Sequence, residues 1–233
     1  MNLDAVGSGS CGCGGAGHDG STGPARPDED AASRDARRGP SRLGVGPQGS
    51  PDGGDADGDL EKRHTGTTRP ADPGRCVAAL RAVNGTVATA ESLTGGLVVA
   101  ALTSVPGSSW VVLGGVVAYC AAVKSAVLGV GSDLLGRAGA VQPEVARQMA
   151  VGARTVCGSQ WGVSTTGVAG PDAADGQPVG TVFVAISGPD GDEVVSLRLS
   201  GDREAIRAQS VSVCLDRLTE RVEAHVAGTT RYR

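Results

Sequence analysis

The chain is 233 residues long with a net charge of −4 and a pI near 5.4, so it has room for one good-sized domain with an appendage, or for two small domains. An acidic balance removes the bulk electrostatic case for a nucleic-acid partner. Aromatic residues make up only 2% (Trp110, Tyr119, Trp161, Phe183 and Tyr232), too few rings to stack single-stranded bases, and the core must be built from Val, Ala and Leu, which suits a buried sheet.

Residues 1–70 differ in texture from the rest of the chain. They hold 16 Gly and 6 Pro against six large aliphatic residues (Met1, Leu3, Val6, Leu43, Val45 and Leu60). A segment of that composition cannot bury enough apolar surface to offset its ordering entropy, so it is expected to be a disordered extension. It lacks a basic region followed by an apolar one, so no signal peptide is expected. No apolar run in the chain approaches the roughly 20 residues of a membrane span. Of the six cysteines, Cys76, Cys120, Cys157 and Cys214 lie singly in apolar stretches, as small buried hydrophobes do. Cys11-Gly12-Cys13 has no second pair and is assigned no metal. The expectation is a cytoplasmic protein with reduced thiols, no metal and no membrane contact.

From Asp72 the pattern becomes globular. Asp72-Pro73 starts a helix with Val77, Leu80 and Val83 on one face. Thr86 to Ala90 forms a first strand, Thr94 to Ser104 a helix stopped by Pro106-Gly107, and Val111 to Tyr119 a second strand containing Gly114-Gly115. Ala121 to Leu128 is helical and closed by Gly129; another helix begins at Pro143 and runs toward Cys157. Trp161 to Thr165 is a third strand. Val179 to Ser187 is a fourth, and the alternation of Val194, Val195, Leu197 and Leu199 marks a fifth. Asp202 caps a long final helix carrying Ile206, Val213, Leu215 and Leu218. Strands and helices alternate first and a hairpin comes late, which predicts an α/β fold: a three-layer α/β/α sandwich with a mixed, mostly parallel five-stranded sheet. The globular domain is placed at 71–228, followed by a tail at 229–233.

Function in such sheets gathers at the carboxyl ends of the strands. There the first strand runs into Thr89-Ala90-Glu91-Ser92-Leu93-Thr94-Gly95-Gly96. A strand, a tight turn with paired glycines and a helix start expose a hydroxyl beside backbone N–H groups that can hold an oxyanion. Ser92 is therefore the candidate nucleophile, although a serine here also serves as a plain turn or cap residue. It is not the G-x-S-x-G elbow, because Ala90 and Thr94 stand at the glycine positions. Neither a P-loop nor a G-x-G-x-x-G fingerprint occurs. His18, His64 and His225 all lie away from the strand-end loops, which argues against a Ser-His-Asp triad. Only two lysines exist, Lys62 and Lys124. Lys124, five residues after Tyr119, is the candidate base: a lysine desolvated in a cleft can accept a serine proton, whereas on an open helix it is only a solvated charge. Tyr119 is placed to bond that lysine or a substrate, or to be a strand-end residue with a wet hydroxyl. The loop Thr166-Gly167-Val168-Ala169-Gly170-Pro171 has the small residues that a close backbone approach needs. Asp202, Arg203 and Arg207 either bind phosphate or cap and solvate the last helix.

Taken in order, these segments resemble a known family. Thr89-Ala90-Glu91-Ser92-x-Thr94-Gly95-Gly96, Pro106-Gly107-Ser108-Ser109, Gly115 to Tyr119 with Lys124, Leu128-Gly129-Val130, Gly139-Ala140-Val141, Thr166 to Pro171, Pro178-Val179-Gly180-Thr181-Val182 and Gly201-Asp202-Arg203 are similar to motifs of the CinA C-terminal domain family, the nicotinamide-nucleotide amidohydrolases. The resemblance covers residues 75 to 220. It implies a three-layer α/β/α fold and hydrolysis of a small-molecule nucleotide, nicotinamide mononucleotide, to nicotinate mononucleotide and ammonia. It further implies a serine nucleophile assisted by lysine, with no metal or cofactor. Ser92, Lys124, Tyr119 and Thr166 fall on the catalytic positions, and Glu91, Thr94, Gly95, Gly96, Gly167, Gly170 and Arg203 are assigned to substrate binding. A homo-oligomer stays open. The sequence departs from the family at Gln142, usually Ser, and at Asp172 to Gln177, usually richer in glycine with Glu-Lys. The family's longer members carry an N-terminal pyrophosphatase-type domain, for which the 70-residue extension is too short and too polar. A non-catalytic nucleotide-binding module of the same fold is the alternative, and an interaction protein acting through residues 1–70 a third reading.

Overall fold

A computed structural model describes residues 62–64 and 71–230. Its elements are β1 (Lys62–His64), α1 (Pro73–Ala82), β2 (Val87–Glu91), α2 (Leu97–Thr103), β3 (Val112–Val117), α3 (Ala121–Leu128), α4 (Ser132–Ala138), α5 (Pro143–Cys157), β4 (Trp161–Gly167), β5 (Thr181–Gly188), β6 (Gly191–Arg198) and α6 (Arg203–Thr230). The sheet order is β1-β6-β5-β4-β2-β3. β2 is parallel to both β3 and β4, β5 is antiparallel to β4 and β6, and β1 is parallel to β6. The expected mixed five-stranded sheet is thus present as β2 to β6.

The period-2 pattern of the strands sorts side chains into the two outer layers. Val87 of β2, Val163 of β4 and Val182, Val184 and Ile186 of β5 pack with Leu80 of α1, Leu102 of α2 and Ile206 and Leu218 of α6. The alternate residues face the other way: Ala88 and Ala90 pack with Leu128, Val145, Met149 and Ala153, and Phe183 and Ala185 with Ala146 and Ala150. The second layer is built from small residues because α5 lies very close. A Cβ on Gly162 would stand 2.1 Å from the Ala150 carbonyl oxygen, and one on Gly152 would stand 2.1 Å from that of Leu128. Gly152 therefore sets the approach of α5 to the end of α3, the helix that carries Lys124.

Three sequence expectations are corrected by the structure. Lys62–His64 lies within the segment expected to be disordered, yet its backbone pairs with Val195, Ser196 and Leu197 on the open edge of β6. Adding an edge strand requires main-chain N–H and C=O groups rather than apolar side chains, so composition does not report it. The rest of the expected extension, residues 1–61 and 65–70, lies outside the described residues. The helix expected from Thr94 starts at Leu97, because Gly95 and Gly96 take positive φ (62° and 100°) and make a turn instead. At the other end α6 continues to Thr230, into the segment expected to be a tail, and residues 231–233 lie outside the described residues. The short helix α4 has no counterpart in the sequence reading; it buries no residue fully, so it leaves little apolar periodicity. Among the described residues no helix is long and apolar enough to cross a membrane.

Gly152→Ala should destabilise the fold by about 1–3 kcal/mol through overpacking against Leu128. Gly136→Ala, in a helix with nothing within 4 Å of the new methyl group, should stabilise it by about 0.5–1 kcal/mol. Urea midpoints of the two variants check both; equal midpoints would contradict the close α3–α5 contact.

Candidate active site

The turn after β2 is built around the Glu91 side chain, 1% exposed. Its Oε2 accepts from Thr94 Oγ1 (2.8 Å) and from the main-chain N–H groups of Gly96 (2.9 Å) and Val98 (3.0 Å). Oε1 accepts from the Val99 N–H (2.8 Å) and Thr89 Oγ1 (3.3 Å). A carboxylate at this place satisfies the orphan N–H groups of the first turn of α2 and complements its dipole. From the other side Arg207 of α6 donates to the carbonyls of Leu93 (3.0 Å) and Thr94 (2.9 Å). Ser92 itself is fixed by main chain: its N–H donates to the Thr165 carbonyl at 3.0 Å, and its carbonyl accepts from the Gly95 N–H at 3.1 Å. The serine hydroxyl is thereby carried on a turn that is tied at both ends.

Lys124 is 1% exposed, which is rare for a lysine without a paired carboxylate. Its Nζ lies 3.0 Å from Ser92 Oγ, 2.7 Å from the Ala118 carbonyl oxygen and 3.3 Å from that of Tyr119. Burial pushes its pKa down, and the charges of Cys120 and Asp175 oppose that shift only in part. Nζ donates to all three oxygens; once deprotonated, the amine would keep two N–H groups for the carbonyls and turn its lone pair to the Ser92 hydroxyl. Those carbonyls come from the segment joining β3 to α3, and that segment delivers the lysine beneath Ser92.

The side chains of the other residues singled out in the sequence lie outside the Ser92–Lys124 contact. The Tyr119 ring is 61% exposed, and its hydroxyl accepts from Arg203 at 3.0 Å; only its carbonyl reaches Lys124. Thr166 Oγ1 donates to the Ala140 carbonyl (2.8 Å) and so anchors the Gly139–Val141 segment to β4. Arg203 also donates to the Gly170 carbonyl at 2.7 Å and bridges that loop to Tyr119. A Cβ on Gly167 would stand 2.6 Å from the Thr181 carbonyl oxygen, which gives this glycine a packing role against β5.

Glu91 and Thr94 were expected to bind substrate, but both are buried and bonded to each other, and Thr94 Oγ1 also meets Thr165 Oγ1 at 2.7 Å. The N–H groups of Gly95 and Gly96 are already given to Ser92 and Glu91. The Glu91 carboxylate, the Thr94 hydroxyl and the N–H groups of Gly95 and Gly96 are thus used within the turn. Arg207, read from sequence as a phosphate or cap residue, clasps the nucleophile turn. The loop before Pro178 holds a residue that sequence reading passed over. Asp175 Oδ2 accepts from the Ala140 N–H at 2.6 Å. An Asp-Gly pair in a polar loop is the available signal, since Asp175 and Gly176 both take positive φ (51° and 70°), as a two-residue hairpin turn requires.

Residues 73–222 of this α/β/α sandwich match the CinA C-terminal domain. The chain belongs to the CinA C-terminal domain family. A CinA-like protein of Frankia casuarinae is 47% identical over 131 residues, covering 56% of this chain and 30% of that protein. Another, from Anaeromyxobacter dehalogenans, is 48% identical over 147 residues, covering 63% of this chain and 36% of that protein. The chain thus spans about a third of the length of the curated relatives it matches. A competence-damaged protein (CinA) superfamily structure from Klebsiella pneumoniae matches with TM-score 0.63 and 33% identity, covering 65% of this chain and 96% of that one. The competence/damage inducible protein CihA of Agrobacterium tumefaciens matches with TM-score 0.60 and 36% identity over 65% and 96% of the two chains.

Glu91→Gln should cost the CinA domain about 2–4 kcal/mol, because an amide NH2 replaces one acceptor oxygen in a buried ring of donors. Chemical denaturation measures this; a loss below about 1 kcal/mol would mean that the turn does not depend on the carboxylate.

Proposed function

We propose that this CinA domain is a serine amidase that hydrolyses the carboxamide of nicotinamide mononucleotide, giving nicotinate mononucleotide and ammonia. The observation that carries the reading is the 3.0 Å contact between a buried Lys124 Nζ and Ser92 Oγ. A buried amine facing a serine hydroxyl at the carboxyl end of a strand is a nucleophile–base pair without histidine. The ordered motifs from Thr89 to Arg203 supply the substrate class by resemblance.

In this reading neutral Lys124 accepts the Ser92 hydroxyl proton as Oγ attacks the carboxamide carbon. The ammonium so formed passes that proton to the departing nitrogen, which leaves as ammonia. Lys124 next takes a proton from water as the water oxygen attacks the acyl-serine ester, and returns it to Ser92 Oγ as the acid is released. The oxyanion is assigned to the main-chain N–H groups of Leu93 and Thr94, which come directly after the nucleophile and have no acceptor among the described residues. Such donors typically contribute several kcal/mol to the transition state. Arg203, exposed and held between Gly170 and Tyr119, is assigned to the charged end of the nucleotide.

Ser92→Ala should lower kcat for ammonia release by about a thousandfold or more while leaving the fold intact. Full activity in that variant would sink the mechanism, and calorimetric binding of the mononucleotide by the wild-type chain without turnover would select a non-catalytic binding module. The sign of the pH dependence is set by the base. Only neutral Lys124 accepts the proton, so kcat/KM should rise with pH through a pKa lying below the ordinary 10.5. Lys124→Arg, which stays charged, should lose about a hundred- to ten-thousandfold and the rising limb with it.

A further inference from the structure

The sheet has two edges, and the chain treats them differently. On one side β6 is covered by Lys62–His64 of the same chain. On the other, β3 has β2 as its single neighbour among the described residues. The Ala118 N–H donates to the Glu91 carbonyl of β2, and main-chain groups alternate in direction along a parallel strand. Those of Val116 therefore face β2, while those of Gly115 and Val117 point outward, with no partner among the described residues. An exposed edge is a template for another strand, and proteins commonly guard it with charged side chains or proline. This edge has neither. From Ser92 to Val123 the sequence holds no Asp, Glu, Lys or Arg, and the one break in register falls at the start of β3, before the outward-facing residues.

Large apolar side chains collect along the same edge. Trp110 just before β3 is 76% exposed, Leu113 47%, Val117 49% and Tyr119 just after it 61%. Leu97 flanks the strip on the α2 side, next to Gly96, whose Cβ would stand 3.6 Å from Val117. Val156 flanks it on the α5 side, next to Cys157, whose Sγ is 3.2 Å from a Cβ placed on Gly114. We propose that the β3 edge pairs with the β3 edge of a second copy of this chain. Two copies that meet through the same edge are related by a two-fold axis, which sets the strands antiparallel and joins two six-stranded sheets into one. Such an axis brings equivalent residues close together, so any charge near it would face its own sign. A strip without charge is self-complementary and offers nothing to a partner recognised by charge. The area agrees as well: these six side chains expose roughly 600 Å², and a stable complex buries about 600–1,000 Å² on each partner. The strip ends at Tyr119, whose hydroxyl accepts from Arg203, so the second copy comes up to the rim of the candidate active site.

Sedimentation velocity of the full chain over a concentration series should show a dimer of twice 23.0 kDa. The amides of Gly115 and Val117 should exchange with solvent more slowly as the dimer forms. Leu113→Lys and Val117→Lys each place a charge twice in the contact and should weaken it by about tenfold or more. Trp110→Glu lies outside the sheet and should do the same, even where a strand variant fails to fold. Ala224→Lys, exposed on α6, which makes its sheet contacts with β4 and β5, should leave the dimer in place. A chain that stays monomeric throughout would overturn the proposal; amides protected in that monomer would assign the edge to another segment of the same chain. A dimer that survives all three edge variants, or one in which the two amides exchange freely, would overturn it too.

Discussion

The structure depends first on a charge buried at the end of a strand. Glu91 closes β2, and five donors converge on its carboxylate from the turn, from the first residues of α2 and from Thr89 on β2 itself. An unpaired buried carboxylate is costly, so the donors and the charge each require the other. The result is a turn with little freedom, clasped on its far side by Arg207. Ser92 inherits that rigidity because it is the next residue in the chain. A nucleophile held in one geometry by groups that do not react is the usual way a site avoids reorganisation during the chemical step.

Lys124 shows the same logic with opposite sign. Its stem is buried at the carboxyl end of β2 and β3, on the α3–α5 side, where the small residues of α5 let the layers close. Among the described residues no carboxylate bonds it, and the two carbonyls it meets accept from a neutral amine as well as from an ammonium. Burial pushes its pKa down from the ordinary lysine value. The close packing set by Gly152 against Leu128 and by Gly162 against Ala150 holds α5 to α3 and to the sheet.

Much of the fold was legible in the sequence because its signals are local. Alternating Val and Ala runs, helix starts at Pro73 and Pro143, and the stop at Gly129 each depend on a few neighbouring residues. The pairing of Ser92 with Lys124 was legible by elimination, since histidine is missing from the strand-end loops and one lysine remains in the globular part. Glu91 was not legible as a structural group. A carboxylate beside a serine reads the same whether it faces solvent, substrate or the N-terminus of its own helix, and only the burial of the turn distinguishes them. The strand at Lys62–His64 escaped for a similar reason, since edge pairing uses the main chain and leaves composition unchanged.

The sequence by itself determined most of the order of elements, five strands of the sheet and Ser92 and Lys124 as a candidate pair, because hydrophobic period, turn chemistry and residue inventory are properties of the chain alone. Which side chains face a ligand and which are consumed in holding the turn was decided only by tertiary structure. Thr94, Gly95, Gly96 and Glu91 sit one to four residues from Ser92, yet the Glu91 carboxylate, the Thr94 hydroxyl and the N–H groups of Gly95 and Gly96 bond within the protein. Asp175 is 35 residues from Ala140 in sequence, yet its carboxylate accepts the Ala140 N–H. Burial and long-range charge depend on what packs nearby, and that is fixed only when the layers close.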